Sequence, residues 1–454
     1  MAEIRLSRLS TNKPIVLEPH FQILADQGFD PKKGQFFLHK EKRIFFEEWN
    51  HVNLFGWTLE FCKTFGHIRL TDTLENDIGY LIGYPIWLDI KLSSNKCIVL
   101  ECSEISEVRG FIYELVSGRY FVVLLNHKNE VIFPDAAATI PIVYSAYAQE
   151  LASSNYLFRE ASVRSKSQKK PCNNLPDTKF YYPLGMTPLN GNQLLLPNHY
   201  LDLRNMVMSR VSWALISPQD SETIMNNISE RIRKLLNLLV AEGQNINFLL
   251  TGGEDSRMIL SCFFPQLTPY IECSTHYEGH AEDQNLVDVN LAEKIAQQFS
   301  LNWTSVDLGQ QCNPSISNEH ITIMGFGGEL SRSVFWHEKM MKKALFNHEW
   351  VLEILGIPNY PITQIRVRKW LSGLPTEDTI QVLDLLYLEL YVGCLISPTL
   401  LRFDITSKYA LSPFLDWKIL NSMAQIPPEI KKGKTFTRSF IKRNAPELYA
   451  IQFV

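Results

Sequence analysis

The segment Phe248-Leu-Leu-Thr-Gly-Gly-Glu-Asp-Ser-Arg257 runs from an apolar strand pattern through two glycines into the start of a helix pattern. Glycines let a backbone approach an anion closely, and the N–H groups at a helix start carry the positive end of the helix dipole. Hydroxyl groups flank the two glycines on both sides. The segment therefore predicts a pyrophosphate cradle formed by Leu250, Thr251, Gly252, Gly253 and Ser256.

A carboxylate, Asp255, lies within this cradle and would repel a phosphate group unless a cation lay between them. A Mg²⁺ ion bridging Asp255 and a triphosphate would supply that cation and stabilise pyrophosphate as a leaving group. A second interpretation stays open. In it, the glycines only shape a strand-to-helix turn, and the polar residues only cap the helix.

Strand and helix patterns alternate around this segment. Stretches of strand length and helix length occupy, in order, 247–250, 255–263, 270–274, 283–299 and 303–306. This alternation is typical of a doubly wound parallel sheet. A further helix is predicted over 220–242, and most of the chain from residue 331 onward has a helical pattern.

The first part of the chain has a different pattern. From 34 to 143, short runs rich in Phe, Tyr, Val and Ile alternate with turn residues, which predicts a mainly β domain. The change of pattern places a domain boundary near residue 205. We therefore predict two domains, 1–205 and 206–454, and an α/β fold.

The composition favours a folded protein that acts on a small molecule. Hydrophobic residues make up 45% and charged residues 20% of the chain, and the formal net charge is -4. Charges of both signs are interspersed, which argues against a dedicated nucleic-acid or membrane-surface protein. The eight cysteines include no CxxC pair, and no apolar run approaches the ~20 residues that span a bilayer. We expect reduced thiols, a cytoplasmic location, and neither a nucleic-acid nor a membrane partner.

The stretch Thr251-Gly-Gly-Glu-Asp-Ser256 resembles the SGGxDS loop of N-type ATP pyrophosphatases, and its context is similar to the asparagine synthetase and β-lactam synthetase family. Other segments, in the same order along the chain, are similar to that family. They are 118–144, 185–198, Gly325-Phe-Gly-Gly-Glu-Leu330, Ser412-Pro-Phe-Leu-Asp416, Ile426-Pro-Pro-Glu-Ile430 and Gly433-Lys434. The resemblance spans roughly residues 110 to 450.

The resemblance implies an α+β sandwich of the Ntn type, similar to glutaminase domains, followed by a doubly wound ATP-pyrophosphatase domain with extra C-terminal helices. It implies ATP and Mg²⁺ as cofactors, with Asp255 and Glu329 holding the metal. Gly327 and Gly328 would contact the nucleotide, and Lys434 would stabilise charge during amide formation. The implied activity is a ligase of the asparagine biosynthesis type, which adenylates a carboxylic acid and transfers it to ammonia or an amine.

Three features depart from the family pattern. Glutamine-dependent members have a cysteine after the initiator Met, but here this position is Ala2, so we expect no glutamine hydrolysis. The usual acidic pair of the second glycine loop is Glu329-Leu330, with Arg332 close by. Arg257 replaces a small hydroxyl residue. It could bind phosphate or a substrate carboxylate, or form a salt bridge with Glu254.

Two other functions stay open. The nucleotide site could adenylate a tRNA or another carbonyl oxygen, although the sequence lacks a basic stripe. The chain could also be an inactive partner of the enzymes of a biosynthetic pathway. Finally, His276 and His280 follow a predicted strand at the carboxyl edge of the sheet, where they could line the adenine or acid pocket or bind a metal.

Overall fold

The structure is a computed structural model of the 454-residue chain. It describes residues 24–25, 28–88, 97–102, 104–158, 161, 182–189, 191–211, 218–277, 283–307, 319–336 and 347–453. The described residues form two compact units. Those of 14–215 and 335–405 form the sandwich unit, and those of 216–334 and 406–454 form the parallel-sheet unit.

The described strands and helices are numbered in chain order. The strands are β1 (Phe36–His39), β2 (Asn50–Leu54), β3 (Trp57–Phe61), β4 (Gly66–Thr71), β5 (Asp77–Trp87), β6 (Cys97–Val99), β7 (Val116–Leu125), β8 (Glu130–Pro134), β9 (Val143–Ser145), β10 (Glu150–Ala152), β11 (Asn192–Leu194), β12 (His199–Asp202), β13 (Val207–Arg210), β14 (Asn245–Leu249), β15 (Ile271–Tyr277), β16 (Asn302–Asp307), β17 (His320–Ile323) and β18 (Tyr409–Leu411). The α-helices are α1 (Ile105–Leu115), α2 (Ser221–Ala241), α3 (Glu254–Phe263), α4 (Asp283–Gln298), α5 (His348–Leu355), α6 (Pro361–Ser372), α7 (Thr379–Leu385), α8 (Ser397–Thr406), α9 (Trp417–Ala424), α10 (Pro428–Lys431), α11 (Thr435–Asn444) and α12 (Pro446–Tyr449).

The sandwich unit contains two sheets, with strand orders β11-β9-β10-β1-β3-β2 and β13-β12-β8-β7-β5-β4-β6. Neighbouring strands pair antiparallel, except β4 and β6, which pair parallel. The rings of Phe36 on β1 and Phe121 on β7 are fully buried, with centroids 4.1 Å apart. The two sheets therefore pack against each other through aromatic side chains, as a sandwich does.

The helical stretch Thr379–Thr406 joins α7 to α8 through a π-helical segment, Leu386–Ile396. By length and composition it could cross a membrane, with a mean hydropathy of 1.6 in its most apolar window, but 78% of that window is buried inside the protein. Two acidic residues on it, Glu389 and Asp404, are fully buried and paired with Arg210 at 2.8 Å and Arg119 at 2.5 Å. Such ion pairs are typical of a core helix. The sequence predicts a mostly helical pattern from residue 331 onward, and this stretch is helical as predicted.

The parallel-sheet unit contains a five-stranded sheet in the order β16-β15-β14-β17-β18, and every neighbouring pair is parallel. β14 comes first in the chain and lies in the centre. From there the chain continues outward on one side to β16 and later on the other side to β18. The chain leaves β14 and β17 toward opposite sides of the sheet. In open parallel sheets, ligands bind in the crevice at the carboxyl ends of two such strands. The predicted α/β fold with a doubly wound parallel sheet is confirmed.

Three helices of the parallel-sheet unit, α2, α3 and α11, pack together next to this position. α3 follows β14 directly and packs against α2 and α11. α2 buries a stripe at helical spacing, which includes Ile224, Ile228, Ile232, Leu235 and Leu239. The start of α11 lies beside the start of α3, where Arg438 donates to Glu254.

The predicted domains, 1–205 and 206–454, place a single boundary in the chain. The compact units of the structure change after residues 215, 334 and 405. The change of unit after residue 215 lies close to the predicted boundary. Residues 335–405 join the sandwich unit, although their helical pattern placed them in the second predicted domain. They are inserted between β17 and β18, and a helical pattern does not reveal which core an insertion joins.

Candidate functional site

The loop between β14 and α3 is shaped by its own hydroxyl groups. Ser256 Oγ lies 3.0 Å from Thr251 Oγ1 and donates to the carbonyl oxygen of Thr251 at 3.0 Å. The backbone N–H of Gly253 donates to Thr251 Oγ1 at 3.2 Å. These bonds close the loop onto the first turn of α3, so both predicted hydroxyl residues take part in one compact structure.

Two further residues anchor the loop to its neighbours. Leu250 is fully buried, and its backbone pairs with β15, donating to the carbonyl oxygen of Ser274 at 2.9 Å. A Cβ on Gly252 would lie 2.9 Å from Asp288 Oδ1 and 3.0 Å from Leu291, so a side chain there would require these neighbours to shift. Burial raises the pKa of Asp288, while a hydrogen bond from the Gly252 backbone lowers it. No motif in the sequence marks Asp288, because it lies in the middle of a helix pattern.

The second glycine loop packs directly on the first turn of α3. A Cβ on Gly328 would lie 2.5 Å from Asp255 Oδ1, and one on Gly325 would lie 3.1 Å from the backbone nitrogen of Ser256. Gly327 has a φ of +95°, which favours glycine. The two glycine-rich loops, predicted separately, therefore meet at the crevice beyond β14 and β17.

Arg332 and Asp255 form a bidentate ion pair at this meeting point. Arg332 Nη2 donates to Asp255 Oδ2 at 2.7 Å, and Nη1 donates to Oδ1. The side chains of Arg332 and Asp255 are only 17% and 18% exposed. A carboxylate predicted to hold a metal thus has a guanidinium group on both of its oxygens.

The predicted Mg²⁺ site at Asp255 and Glu329 does not fit this geometry. Glu329 is buried, and its Oε2 accepts a hydrogen bond from the backbone of Gly327 at 3.2 Å. Arg332 already engages both oxygens of Asp255. Within the described part of the chain, no group of three His, Cys, Asp or Glu residues could hold a metal ion. Mg²⁺ at nucleotide sites is usually held by one or two carboxylates together with waters and substrate phosphates, and here both oxygens of Asp255 are already engaged by Arg332.

Arg257 holds the C-terminal segment instead of facing a ligand. Its side chain is fully buried and donates to the carbonyl oxygens of Ile451 at 3.0 Å, Gln452 at 2.7 Å and Gly252 at 3.0 Å. The ring of Phe453 lies 4.4 Å from the guanidinium carbon. Burial lowers the pKa of Arg257 to about 10. Backbone carbonyls accept from both terminal nitrogens of Arg257, so neither of these nitrogens donates to Glu254. Binding of phosphate or of a substrate carboxylate by Arg257 stays a prediction.

Two cations from the start of α11 lie beside the first loop. Arg438 Nε donates to Glu254 Oε1 at 2.9 Å, and Lys434 Nζ lies 3.7 Å from the same oxygen. The Glu254 side chain is 4% exposed, whereas those of Arg438 and Lys434 are 43% and 44% exposed. The predicted lysine is therefore brought to the loop, together with Arg438, for which the sequence predicts no role.

His276 lies near the carboxyl end of β15. Burial lowers its pKa to about 4, so its ring is neutral at physiological pH. Its Nε2 lies 3.5 Å from Ser274 Oγ. The other predicted histidine, His280, lies outside the described residues, so their pairing at a metal stays a prediction.

No family model matches the sequence, and no curated protein matches it. Among solved structures, the chain is similar to the U34-tRNA thiolase NcsA from Methanococcus maripaludis, whose structure contains a [4Fe-4S] cluster. The two chains are 13% identical, and the match covers 51% of this chain and 82% of the thiolase, with a TM-score of 0.19. A likeness of this extent assigns no family and no activity to the chain.

Proposed function

We propose that the parallel-sheet unit binds ATP at the loop 251–256 and uses it to adenylate a carboxylic acid, which is then joined to ammonia or an amine. The observation that carries this proposal is the meeting of two glycine-rich loops at the crevice between β14 and β17. Ligands of open parallel sheets bind at such crevices, and a helix start after a glycine turn favours phosphate groups.

The charges around the loop support a polyanionic ligand. Lys434 and Arg438 both lie within 4 Å of the buried Glu254, and both reach solvent. At 3.7 Å, Lys434 is the less tightly held of the two and can turn toward a bound phosphate without breaking a short hydrogen bond. Lysine on a flexible stem is well suited to follow a charge that moves during a reaction.

The proposed reaction has two steps. A carboxylate oxygen of the acid attacks the α-phosphorus of ATP, the bond to the bridging oxygen breaks, and pyrophosphate leaves with the electron pair. Ammonia or an amine then attacks the acyl carbon, and AMP and a proton are released. Lys434 would stabilise negative charge on the phosphate or the tetrahedral intermediate.

The nitrogen would come from ammonia or an amine substrate, not from glutamine. Ala2 offers no nucleophile, and it lies outside the described residues. Burial raises the pKa of Cys262 and of Cys273 to about 12, and that of Cys394 to about 11. These thiols stay protonated at neutral pH and are poor nucleophiles.

Isotope exchange between pyrophosphate and ATP tests the proposal. The purified chain is incubated with labelled pyrophosphate, ATP and pools of amino acids or other carboxylic acids. We expect exchange that depends on one pool, and a decrease of about 100-fold in the Lys434→Met variant. Lys294→Met, which removes an exposed lysine from α4 of the same unit, is the matched control and should keep full exchange.

Other results of the exchange experiment would favour one of the two other functions. No exchange with any pool, together with no measurable ATP binding, would favour an inactive partner of biosynthetic enzymes. ATP binding without acid-dependent exchange, combined with a mobility shift of tRNA, would favour adenylation of a carbonyl oxygen in RNA. The proposal itself expects a small-molecule acid and amine, and no nucleic-acid or membrane partner.

A further inference from the structure

The ion pair of Asp255 and Arg332 joins two loops that are far apart in the sequence. The residues are separated by 77 positions, and each of the two Asp255 oxygens accepts from a different nitrogen of Arg332. Bidentate pairs of this kind are stronger and more directional than single charged hydrogen bonds. Arg332 is therefore held in a defined position by Asp255 and is not a loosely held surface charge.

The surroundings hold this pair in place. Gly328 lies so close to the carboxyl group that even a methyl group there would overlap it, at 2.5 Å from Oδ1 and 2.8 Å from Cγ. Each partner is less than one-fifth exposed. Partial burial strengthens the attraction between the two charges and also raises the cost of separating them. A metal ion at Asp255 would have to displace the guanidinium or sit beside it.

A second cation beside the guanidinium is unfavourable. An arginine in a protein keeps its charge at all accessible pH values, and two positive charges at a distance of a few ångström repel each other. Mg²⁺ also gives up its water reluctantly, so it competes poorly for a carboxylate whose oxygens are both engaged.

We propose that Arg332 supplies the positive charge that the loop needs at Asp255 and thereby excludes a divalent cation from this carboxylate. A triphosphate entering the loop would then meet a neutral ion pair instead of a lone carboxylate. Arg332 is thus a positioning residue that acts through Asp255. The inference rests on the proposed function only for the identity of the anion, because exclusion of the metal is a property of the protein without nucleotide.

Binding of Mn²⁺ to the nucleotide-free protein tests this inference. Mn²⁺ stands in for Mg²⁺, and free Mn²⁺ is measured by electron paramagnetic resonance. We expect Arg332→Met to bind Mn²⁺ about tenfold or more tightly than the wild type, because it frees a partly buried carboxylate. The double variant Asp255→Asn/Arg332→Met should lose this gain. No gain in Arg332→Met would overturn the inference.

Circular dichroism shows whether Arg332→Met folds. If it does not, the wild type is compared with Asp255→Asn, since both keep Arg332. The wild type and Asp255→Asn should then have the same weak affinity for Mn²⁺, because Asp255 takes no part in metal binding. A decrease in affinity in Asp255→Asn would show a metal at this carboxylate and overturn the inference. Neither result depends on pyrophosphate exchange, so failure of the ATP assignment is detected separately.

Discussion

Ser331 Oγ lies 3.1 Å from Thr437 Oγ1, and both side chains are fully buried. Ser331 belongs to the 3-10 turn Gly328–Arg332, and Thr437 belongs to the first turn of α11. This contact ties the loop that carries Arg332 to the helix whose start carries Lys434. The cations on the two sides of the crevice are thus positioned by one connected structure.

Replacing Gly328 with alanine should strain the contact between the two glycine-rich loops. The new Cβ would lie 2.5 Å from Asp255 Oδ1, and we expect the free energy of unfolding to fall by about 1–3 kcal/mol, as for overpacking of a core. Urea unfolding measures this change. Gly433→Ala is the control, since its Cβ would meet its nearest neighbour at 3.9 Å. Equal stability of the two variants would show that the loops do not pack as described.

Replacing Arg257 with methionine should release the C-terminal segment. The substitution removes the donor to three carbonyl oxygens, two of them in residues 451–452, and we expect a loss of about 2–4 kcal/mol in unfolding free energy. Hydrogen exchange should become faster over residues 449–453. Arg443→Met, which removes an exposed ion pair with Glu222, should cost less than about 1 kcal/mol. If the variant bound ATP more weakly while hydrogen exchange over residues 449–453 stayed unchanged, Arg257 would instead be a ligand contact.

The lowered pKa of His276 should make stability depend on pH. Its pKa falls from 6.5 to about 4 on folding, because burial disfavours the charged ring. Below pH 6.5 the unfolded chain therefore binds a proton that the folded chain does not. The contribution is fully present above pH 6.5 and is lost as the pH falls toward 4. The stability difference between pH 7.5 and pH 4.5 should be smaller in His276→Gln than in the wild type, and an unchanged difference would contradict the assignment.

The helical stretch Thr379–Thr406 should depend on its internal ion pairs. Glu389 accepts from Arg210 at 2.8 Å and from Trp370 Nε1 at 2.7 Å. Glu389→Gln leaves the arginine next to a neutral group, and we expect a loss of about 3–5 kcal/mol. Thermal unfolding in detergent-free buffer measures it. Glu377→Gln, at an exposed position before α7, is the control and should have the wild-type midpoint. Equal midpoints would contradict burial of this helix in a protein core.

The sequence predicts the sheet well where the pattern is local. The predicted strand 247–250 and helix 255–263 correspond to β14 and α3 within two residues at each end. Two strands on one side of the sheet, β17 and the edge strand β18, were not predicted. They have only four and three residues, and the insertion between them hides their relation in the chain.

The site is predicted in part. The two glycine-rich loops are visible as motifs, because close backbone packing requires glycine at fixed spacings. The partners of Asp255 and Arg257 are not visible, for different reasons. Arg332 reaches Asp255 only because the sheet places two distant loops side by side, and Arg257 donates to backbone carbonyls, which every residue provides. The prediction of Mg²⁺ at Asp255 and Glu329 did not anticipate Arg332, which donates to both oxygens of Asp255.

Equilibrium binding of ATP tests the central claim most directly. Isothermal titration of the purified chain is compared with Ser256→Ala, which removes the hydroxyl that closes the loop, and with Lys294→Met as the control. We expect the wild type and the control to bind ATP with the same affinity and Ser256→Ala to bind about tenfold more weakly. No heat of binding in the wild type, or equal affinity in Ser256→Ala, would contradict the assignment of the nucleotide site to this loop.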